Sequence, residues 1–500
     1  MKTARIHNTN YKNLSSKEWL ITNGLGGYSS STICGVNTRR YHGLLVVAEN
    51  PPTDRKVLIS KVKETVISKS SIMPMATSQY PGTVSPDGYR YLTGFNRFPL
   101  PCMRFQNGDC IIEKTICMVY NSNTTVIKYQ NKSSIPVTIN CMPLFVDRDF
   151  HGLFHSNDYN DYYYEDNPNV TTVYSHLNAT PLFVTHCGGT WNYQKQWYYN
   201  LEYLEELDRG LDFREDAVSL GHITFHLAPG EDTYLLFTTD RNICEEDPAD
   251  LIKNELERQQ KLIPVNIKNP FFRDLIVSGD QFVVKRESTN QYSLIAGYHW
   301  FADWGRDTMI ALRGLCIALD RKEISKSILR TFIQFLDKGM LPNRFPDYPN
   351  DKPEYNSVDA ALWFFVAIYE YDQQFNDACF LKEVQPALKE ILLTYIKGTR
   401  YNIHITKEGF VYAGDMKTQL TWMDARIGDY AVTPRNGCPV EINALWYNAL
   451  KIYQSISARN GDEDHTFDLY IKKIKNNFKR FFLNGKRYLN DVVIPGGGNR

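Results

Sequence analysis

The hydrophobic pattern of this 500-residue chain changes once, from the alternation typical of strands to the longer period of helices. Runs of β-branched and aromatic residues occupy 124–130, 137–146, 222–227 and 233–239, and turn residues bound them. After a charged stretch at about 241–270, apolar residues recur at helical spacing. Many short strands without intervening helices favour an antiparallel sandwich. We therefore predict an α+β protein, with a β-sandwich domain at 1–255 and a helical domain at 256–500.

Two smaller features of the first half predict turns, and seven segments of the second half predict helices. The segment LAPGED at 227–232 is predicted to connect a hairpin, and the glycine-rich run 23–28 to form a tight turn between strands. The helices are expected near 271–286, 306–319, 322–338, 357–374, 377–397, 440–458 and 464–483. The loops between them are long, polar and aromatic, and such loops commonly carry functional sites.

The charge balance and the cysteine pattern exclude several classes of protein. Lys+Arg and Asp+Glu both total 56, so neither a nucleic-acid backbone nor an anionic membrane is an expected partner. The N-terminal segment lacks the apolar run of an export signal, and no stretch reaches the roughly 20 apolar residues of a membrane span. We therefore expect a cytoplasmic location, with the ten scattered cysteines as reduced thiols.

The first candidate site segment is 299–308, which contains Trp304, Arg306 and Asp307. Asp307 is predicted to cap the helix that follows. The indole of Trp304 offers a flat apolar face for a sugar ring, and the neighbouring Arg and Asp offer donors and acceptors for its hydroxyls. The alternative is a helix cap with a structural Arg–Asp pair.

The second candidate combines Asn343, in 341–345, with the segment 355–363. Asp359 and Trp363 lie four residues apart and so share one helix face, close to the start of the helix. A carboxylate beside an indole suits hydroxyl recognition next to ring stacking. A capping Asp with a core Trp is the alternative.

The third candidate is formed by 420–426 and 433–442. The bulk of Trp422 and Met423 is expected to desolvate Asp424 and keep its carboxyl protonated, as a general acid requires. Glu441 opens a helix, where the helix dipole alone also favours a carboxylate. The two explanations for Glu441 stay open.

Together these segments resemble the glycogen-debranching (amylo-α-1,6-glucosidase) family. The motifs are 304–308, 341–343, 355–363, 421–424 and 433–441, with 19–20, 23–28 and 38–45 in the first half. The resemblance implies a β-sandwich followed by an (α/α)6 barrel that hydrolyses α-1,6-linked glucose at branch points of an α-glucan, with inversion. It implies Asp424 as the general acid and no metal or organic cofactor. The residues implied to bind substrate are Trp304, Arg306, Asp307, Asn343, Tyr355, Asp359, Trp363, Trp422, Arg435 and Glu441.

The resemblance places the general base in later helices, beyond residue 500. The predicted helices are fewer than a full barrel requires, so we expect the barrel to be incomplete. Glu441 or Asp307 as a substitute base is a weaker alternative. Two other functions stay open: a non-catalytic glucan-binding protein, and an (α/α)6 glycosidase of other linkage specificity, glucoamylase-like or trehalase-like.

Overall fold

The computed structural model describes residues 4–6, 10–69, 71–346, 348, 351–428, 430–485 and 487–496. It divides the chain into two compact units, Met1–Lys285 and Arg286–Arg500. This division lies C-terminal to the predicted boundary at 255/256, because the helices between residues 248 and 280 fall within the first unit.

The described part of the first unit contains two antiparallel sheets, which confirms the predicted sandwich. The nine-stranded sheet has the order Ala4–Arg5, Leu92–Asn96, Cys102–Asn107, Cys110–Met118, Thr124–Asn131, Asp232–Thr238, Leu182–His186, Val170–Tyr174, Tyr163–Asn167. The eight-stranded sheet has the order Thr190–Glu202, Arg214–Leu227, Val137–Asp149, Thr53–Ile67, Gly43–Asn50, Tyr28–Thr32, Glu18–Thr22, with Ile72–Pro74 beside Thr53–Ile67. A separate pair is formed by Thr77–Tyr80 and Thr83–Asp87.

The predicted hairpin at 227–232 is wrong, although the four predicted strands are all present. Arg214–Leu227 belongs to the eight-stranded sheet and Asp232–Thr238 to the nine-stranded sheet, so the connection crosses from one sheet to the other. The side chain of Asn131 fixes this crossing by donating to the carbonyls of Leu227 and Ala228, at 3.2 and 3.1 Å. These hydrogen bonds depend on a strand that lies far away in sequence.

The glycine-rich run 23–28 forms the predicted tight turn between Glu18–Thr22 and Tyr28–Thr32. Gly26 has a φ of +91°, and a Cβ atom there would lie 2.2 Å from the carbonyl oxygen of Pro52. Only glycine fits this position, because both the backbone conformation and the close approach exclude a side chain.

A buried lysine between the sheets gives the fold a measurable dependence on pH. Burial, reinforced by the charge of Lys63, lowers the pKa of Lys61 from 10.5 to about 7, and its ammonium donates to the carbonyl of Thr77 and the hydroxyl of Ser78. The unfolded chain holds this proton up to pH about 10.5, so between pH 7 and 10.5 it binds more protons than the folded chain. Folding stability contributed by this group therefore rises with pH in that window.

We expect the stability of the wild type to rise relative to that of Lys61→Met by about 1 kcal/mol per pH unit above pH 7. The measurement is urea unfolding of both proteins at several pH values from neutral to mildly alkaline. Lys69→Met, at an exposed position, serves as the control and should follow the wild type. Parallel profiles for wild type and Lys61→Met would contradict a depressed lysine pKa.

Among its described residues, the first unit also contains four helices: α1 (Tyr11–Ser15), α2 (Leu204–Asp208), α3 (Pro248–Leu262) and α4 (Pro270–Asp280). Helix α3 was not predicted, because its sequence is mostly polar. Its few apolar residues suffice: Leu251 and Ile252 pack against Cys117, Val126 and Leu236 of the nine-stranded sheet. Single-turn 3₁₀ segments occupy Gly88–Tyr91 and Arg241–Glu245.

The described part of the second unit contains six helices, all close to predicted positions. They are α5 (Gly305–Leu312, followed by a π segment at Arg313–Ile317), α6 (Lys322–Gln334), α7 (Ala360–Phe375), α8 (Ala378–Lys397), α9 (Val440–Arg459) and α10 (Asp468–Phe482). A 3₁₀ turn covers Glu287–Thr289, and the short strands of the chain's second half are Val283–Arg286, Gln291–Leu294, His404–Ile405, Val411–Tyr412, Arg426–Ile427, Tyr430–Ala431, Cys438–Pro439 and Val492–Val493.

Helix α7 is the centre of the helical unit. Nearly all of its residues up to Ile368 are buried, and it packs against α5, α6, α8 and α9. A helix that is apolar on all sides is stable only when neighbours surround it. Arg306 of α5 binds Asp359 at the N-terminal end of α7, so the starts of these two helices lie together.

Two general expectations bear on the whole chain. The ten cysteines are free thiols, as predicted. None of the described helices combines the length and hydropathy that crossing a bilayer requires.

Candidate active site

Three candidate carboxylates lie at the starts of three helices that pack together. Asp307 is in the first turn of α5, Asp359 is the N-cap residue of α7, and Glu441 is in the first turn of α9. Helix N-termini favour negative charge, so the backbone itself stabilises these positions. The predicted cap at Asp307 is wrong: the N-cap residue of α5 is Trp304, and Asp307 lies within the helix.

Arg306 links two of these elements to residues 420–426, which we call the Asp424 segment. Its guanidinium donates to both oxygens of Asp359, at 2.6 and 3.1 Å, and to the carbonyl of Thr421 at 2.9 Å. Its Nη1 lies 3.9 Å from the carboxylate of Asp424. The Arg–Asp pair suggested by the sequence is therefore made with Asp359 and not with the neighbouring Asp307. Ser357 adds a third donor to Asp359, at 2.6 Å.

Arg435 holds the other side of the Asp424 segment. Its guanidinium binds Glu441 and Asp491, each through two N–H groups, and donates to the Thr421 hydroxyl at 3.0 Å. A guanidinium has five N–H donors, and all five are used here. Arg435 therefore has no donor left for a ligand, and it acts by fixing Thr421. The two arginines bind Thr421 from its carbonyl and from its side chain.

Asp424 is open to solvent, which contradicts the expected desolvation. Its side chain is 46% exposed, and Trp422 is itself 58% exposed. The ring of Trp422 lies 5.8 Å from the guanidinium of Arg435. The indole thus lies over the guanidinium of Arg435, and the carboxylate of Asp424 remains accessible to a ligand.

Asp307 has an altered proton affinity. Desolvation by the surrounding protein is the main cause that raises its pKa, and the negative charges of Asp359 and Asp424 raise it further. The neighbouring Arg306 opposes this shift without cancelling it. Asp307 is consequently a better proton acceptor than an ordinary exposed aspartate, in a position electrostatically coupled to Asp424.

Two buried polar atoms near α5 have no hydrogen-bond partner within the described part of the chain: the indole nitrogen of Trp304 and Oδ1 of Asn343. The segments that carry them are joined, since the amide of Gly305 donates to the carbonyl of Asn343 at 2.9 Å. Buried polar groups are nearly always satisfied, and an unsatisfied donor and acceptor together indicate a place for a polar ligand.

Tyr355 and Trp363 are the two remaining aromatic residues of the second candidate segment, 355–363. Trp363 is half-buried in the first turn of α7, and its amide donates to the carbonyl of Asp359 at 2.8 Å, so the predicted one-turn spacing is confirmed. The hydroxyl of Tyr355 donates to the carbonyl of Phe335, and Arg400 lies 4.8 Å from its ring. Trp363 is thus one helical turn from Asp359, whereas the side chain of Tyr355 contacts Phe335 and Arg400.

The sequence did not identify Thr421 and Asp491 as site residues. Thr421 was visible only as part of a motif, and its role follows from the two arginines that bind it. Asp491 lies 56 residues from Arg435 and precedes Val492–Val493, a strand that pairs with Cys438–Pro439. No spacing rule connects such positions, so only the folded chain shows their contact.

Two families match the chain. The family described as "Glycogen debranching enzyme N terminal" matches residues 17–234, and the family described as "Amylo-alpha-1,6-glucosidase" matches residues 277–498. The glycogen debranching enzyme of Saccharomyces cerevisiae (strain ATCC 204508 / S288c) is 25% identical over an alignment of 250 residues, covering 36% of this chain and 16% of the yeast enzyme. The chain thus spans a small part of the length of this relative.

A solved structure shares the fold. It is a bacterial glucoamylase complexed with acarbose, which aligns with 98% of this chain and 71% of its own chain, at a TM-score of 0.54 and 14% identity. At this identity the likeness concerns the fold alone, which is an N-terminal β-sandwich followed by a glucoamylase-like helical domain.

Proposed function

Because the chain belongs to the glycogen debranching enzyme family, we propose that it hydrolyses the α-1,6-linked glucose at branch points of an α-glucan, with inversion. The observation that carries this proposal is the accessible carboxylate of Asp424, held beside Arg306 where α5, α7 and the Asp424 segment meet. Glycoside hydrolysis requires such a carboxyl group at the leaving oxygen.

In the proposed reaction Asp424 is the general acid. Its proton passes to the glycosidic oxygen as the bond from that oxygen to the anomeric carbon breaks. A water on the opposite face of the ring forms the new bond to the anomeric carbon and gives its proton to a base. Arg306 stabilises the carboxylate that Asp424 becomes, because its guanidinium lies 3.9 Å away.

The identity of the base is a separate proposal. The base of an inverting glycosidase lies about 6.5–9.5 Å from the general acid. Of the two alternatives in this chain, Glu441 has both oxygens bound by Arg435. Asp307 has a raised pKa, so it is the better in-chain alternative.

The site supports binding of a hydroxyl-rich ring. Trp304 and Trp422 offer indole faces for stacking, and the unpartnered Trp304 nitrogen and Asn343 oxygen suit a hydroxyl ligand. We propose that Asp307, Asp359, Trp363 and Glu441 complete the surroundings of the glucose unit. We also propose that α5–α10 form part of an (α/α)6 barrel, in agreement with the glucoamylase-like fold. The cytoplasmic location stays a prediction.

The test is the release of free glucose from a phosphorylase limit dextrin, with the anomer of the first product identified by NMR. We expect β-glucose, because inversion at an α-linkage gives the β-anomer. α-Glucose as first product would overturn inversion. Retention in a glucan affinity gel without glucose release would favour the non-catalytic alternative. Faster cleavage of α-1,4 chains or of α,α-trehalose would favour another linkage specificity.

A further inference from the structure

A pocket lies beside the Asp424 segment, within the helical unit. It has a volume of about 390 Å³, which falls in the range of about 300–1,000 Å³ found for ligand sites. The residues that determine its chemistry are Tyr355, Asn356, Arg400, Tyr401, Gln419 and Arg426. Two aromatic rings with several hydrogen-bonding groups are a lining suited to carbohydrate.

The Asp424 segment forms part of the pocket wall. Leu420 and Arg426, on either side of Asp424 in the sequence, both line it. Gln419 also lines it and donates to the carbonyl of Ala425 at 3.3 Å, so the Asp424 segment curves around one wall. The amide of Val358 donates to the carbonyl of Leu420 at 2.8 Å and joins that wall to the start of α7.

The backbone conformation of Tyr401 is energetically unfavourable. Tyr401 has a φ of +57° and is followed by Asn402 at +56°. Positive φ is disfavoured for a bulky side chain, and such backbone strain occurs often at ligand-binding positions. The turn is held by the amide of Gly414, which donates to the carbonyl of Tyr401 at 2.9 Å. The result is a tyrosine that is 39% exposed on the pocket wall.

Two charged side chains of the pocket form ion pairs within the protein. Arg400 forms an ion pair with Asp337, and Glu354 pairs with Arg344 at 2.6 Å. A neutral ligand with hydroxyl groups leaves these ion pairs undisturbed. These features favour a sugar over an anion.

We propose that this pocket binds glucose units of the leaving glucan chain, and that Tyr401 is the stacking platform of this subsite. The inference rests on the proposed function, since a general acid lies next to the leaving group and Asp424 belongs to the segment that borders the pocket. The pocket would thereby select a branch glucose that is attached to a longer α-1,4 chain.

The test measures binding of maltohexaose, an analogue of the leaving chain, by isothermal titration calorimetry. Tyr401→Asn removes the ring and keeps a residue that tolerates positive φ, so we expect dissociation about tenfold weaker than wild type. Tyr401→Phe keeps the ring and is expected to bind within about twofold of wild type. The control is Tyr369→Asn, because Tyr369 is 40% exposed on α7 and lies outside the pocket lining.

The same proteins are assayed for glucose release from limit dextrin, which separates the two proposals. Maltohexaose binding that depends on Tyr401 supports the subsite, and does so even if no glucose is released and the proposed function fails. Wild-type affinity in Tyr401→Asn overturns the subsite, as does a wild type that does not bind maltohexaose. Glucose release in either of those cases leaves the proposed function in place.

Discussion

Asp424→Asn is expected to lower glucose release from limit dextrin by about 10²–10⁴-fold, because an amide cannot supply the proton that the leaving oxygen needs. Binding of the glucan is expected to change little, since asparagine keeps the size and polarity of the exposed side chain. The measurement pairs steady-state glucose release with the dissociation constant for the dextrin, so that loss of the chemical step is separated from loss of binding.

Asp468→Asn is the matched control for this prediction. Asp468 is 47% exposed against 46% for Asp424, and it also has an ionisable neighbour, His465, at 2.8 Å. It lies on α10, away from the proposed site, and its variant should retain wild-type activity. If Asp424→Asn kept near-wild-type turnover, Asp424 could not be the general acid. Equal losses in both variants would indicate a general effect of removing a carboxylate.

Arg435→Met is expected to lower the free energy of unfolding by about 2–3 kcal/mol and to lower turnover by at least about tenfold. The variant leaves Glu441 and Asp491 facing one another without their shared cation, and it removes one of the two arginine contacts of Thr421. Because Glu441 and Asp491 are 33% and 62% exposed, we expect less than the full cost of an unpaired buried charge. The measurements are urea unfolding and glucose release.

Two further variants test the cause of that loss. Arg330→Met breaks another two-pronged Arg–Glu pair, but Arg330 and Glu383 are 40% and 43% exposed, so a loss of at most about 1 kcal/mol is expected. Adding Asp491→Asn to Arg435→Met should restore part of the stability, because it removes one of the two repelling carboxylates. If the double variant is no more stable than Arg435→Met, lost packing is the cause and repulsion is not.

The positions of helices with a periodic pattern of apolar residues were predicted well from the local sequence. Helix α7 extends over Ala360–Phe375 against a predicted 357–374, and α9 over Val440–Arg459 against 440–458. When one face of a helix is buried, apolar residues recur in the sequence at a fixed period, and this pattern can be recognised without the structure. Helix α3 was missed because its apolar face is narrow and its sequence is mostly polar, so the periodic pattern is weak.

The partners of charged side chains could not be predicted in this way. Arg306 was expected beside Asp307, its neighbour in sequence, but it pairs with Asp359, which is 53 residues away. On a helix, adjacent residues point in different directions, whereas residues on two packed helix ends can face each other. The packing of α5 against α7 therefore decides which carboxylate the guanidinium reaches.

The exposure of Asp424 was likewise decided by tertiary structure. Two bulky residues precede Asp424 in the sequence, and desolvation of its carboxyl was predicted from them. Bulky side chains desolvate a neighbouring carboxyl only when they pack against it. Trp422 packs near Arg435, and the side chain of Asp424 remains 46% exposed. The direction of a loop side chain depends on what binds the loop, which here is the pair of arginines on Thr421.

The sequence by itself thus determined the succession of strands and helices, the turn at 23–28 and the motifs that indicate the family. These features depend on the identity of neighbouring residues, on their period and on local backbone preferences. The tertiary structure alone decided the crossing between the sheets at 228–231, the ion pairs of Arg306 and Arg435, and the role of Asp491. Those features depend on contacts between residues far apart in the chain, and such contacts exist only after the helices and sheets have packed.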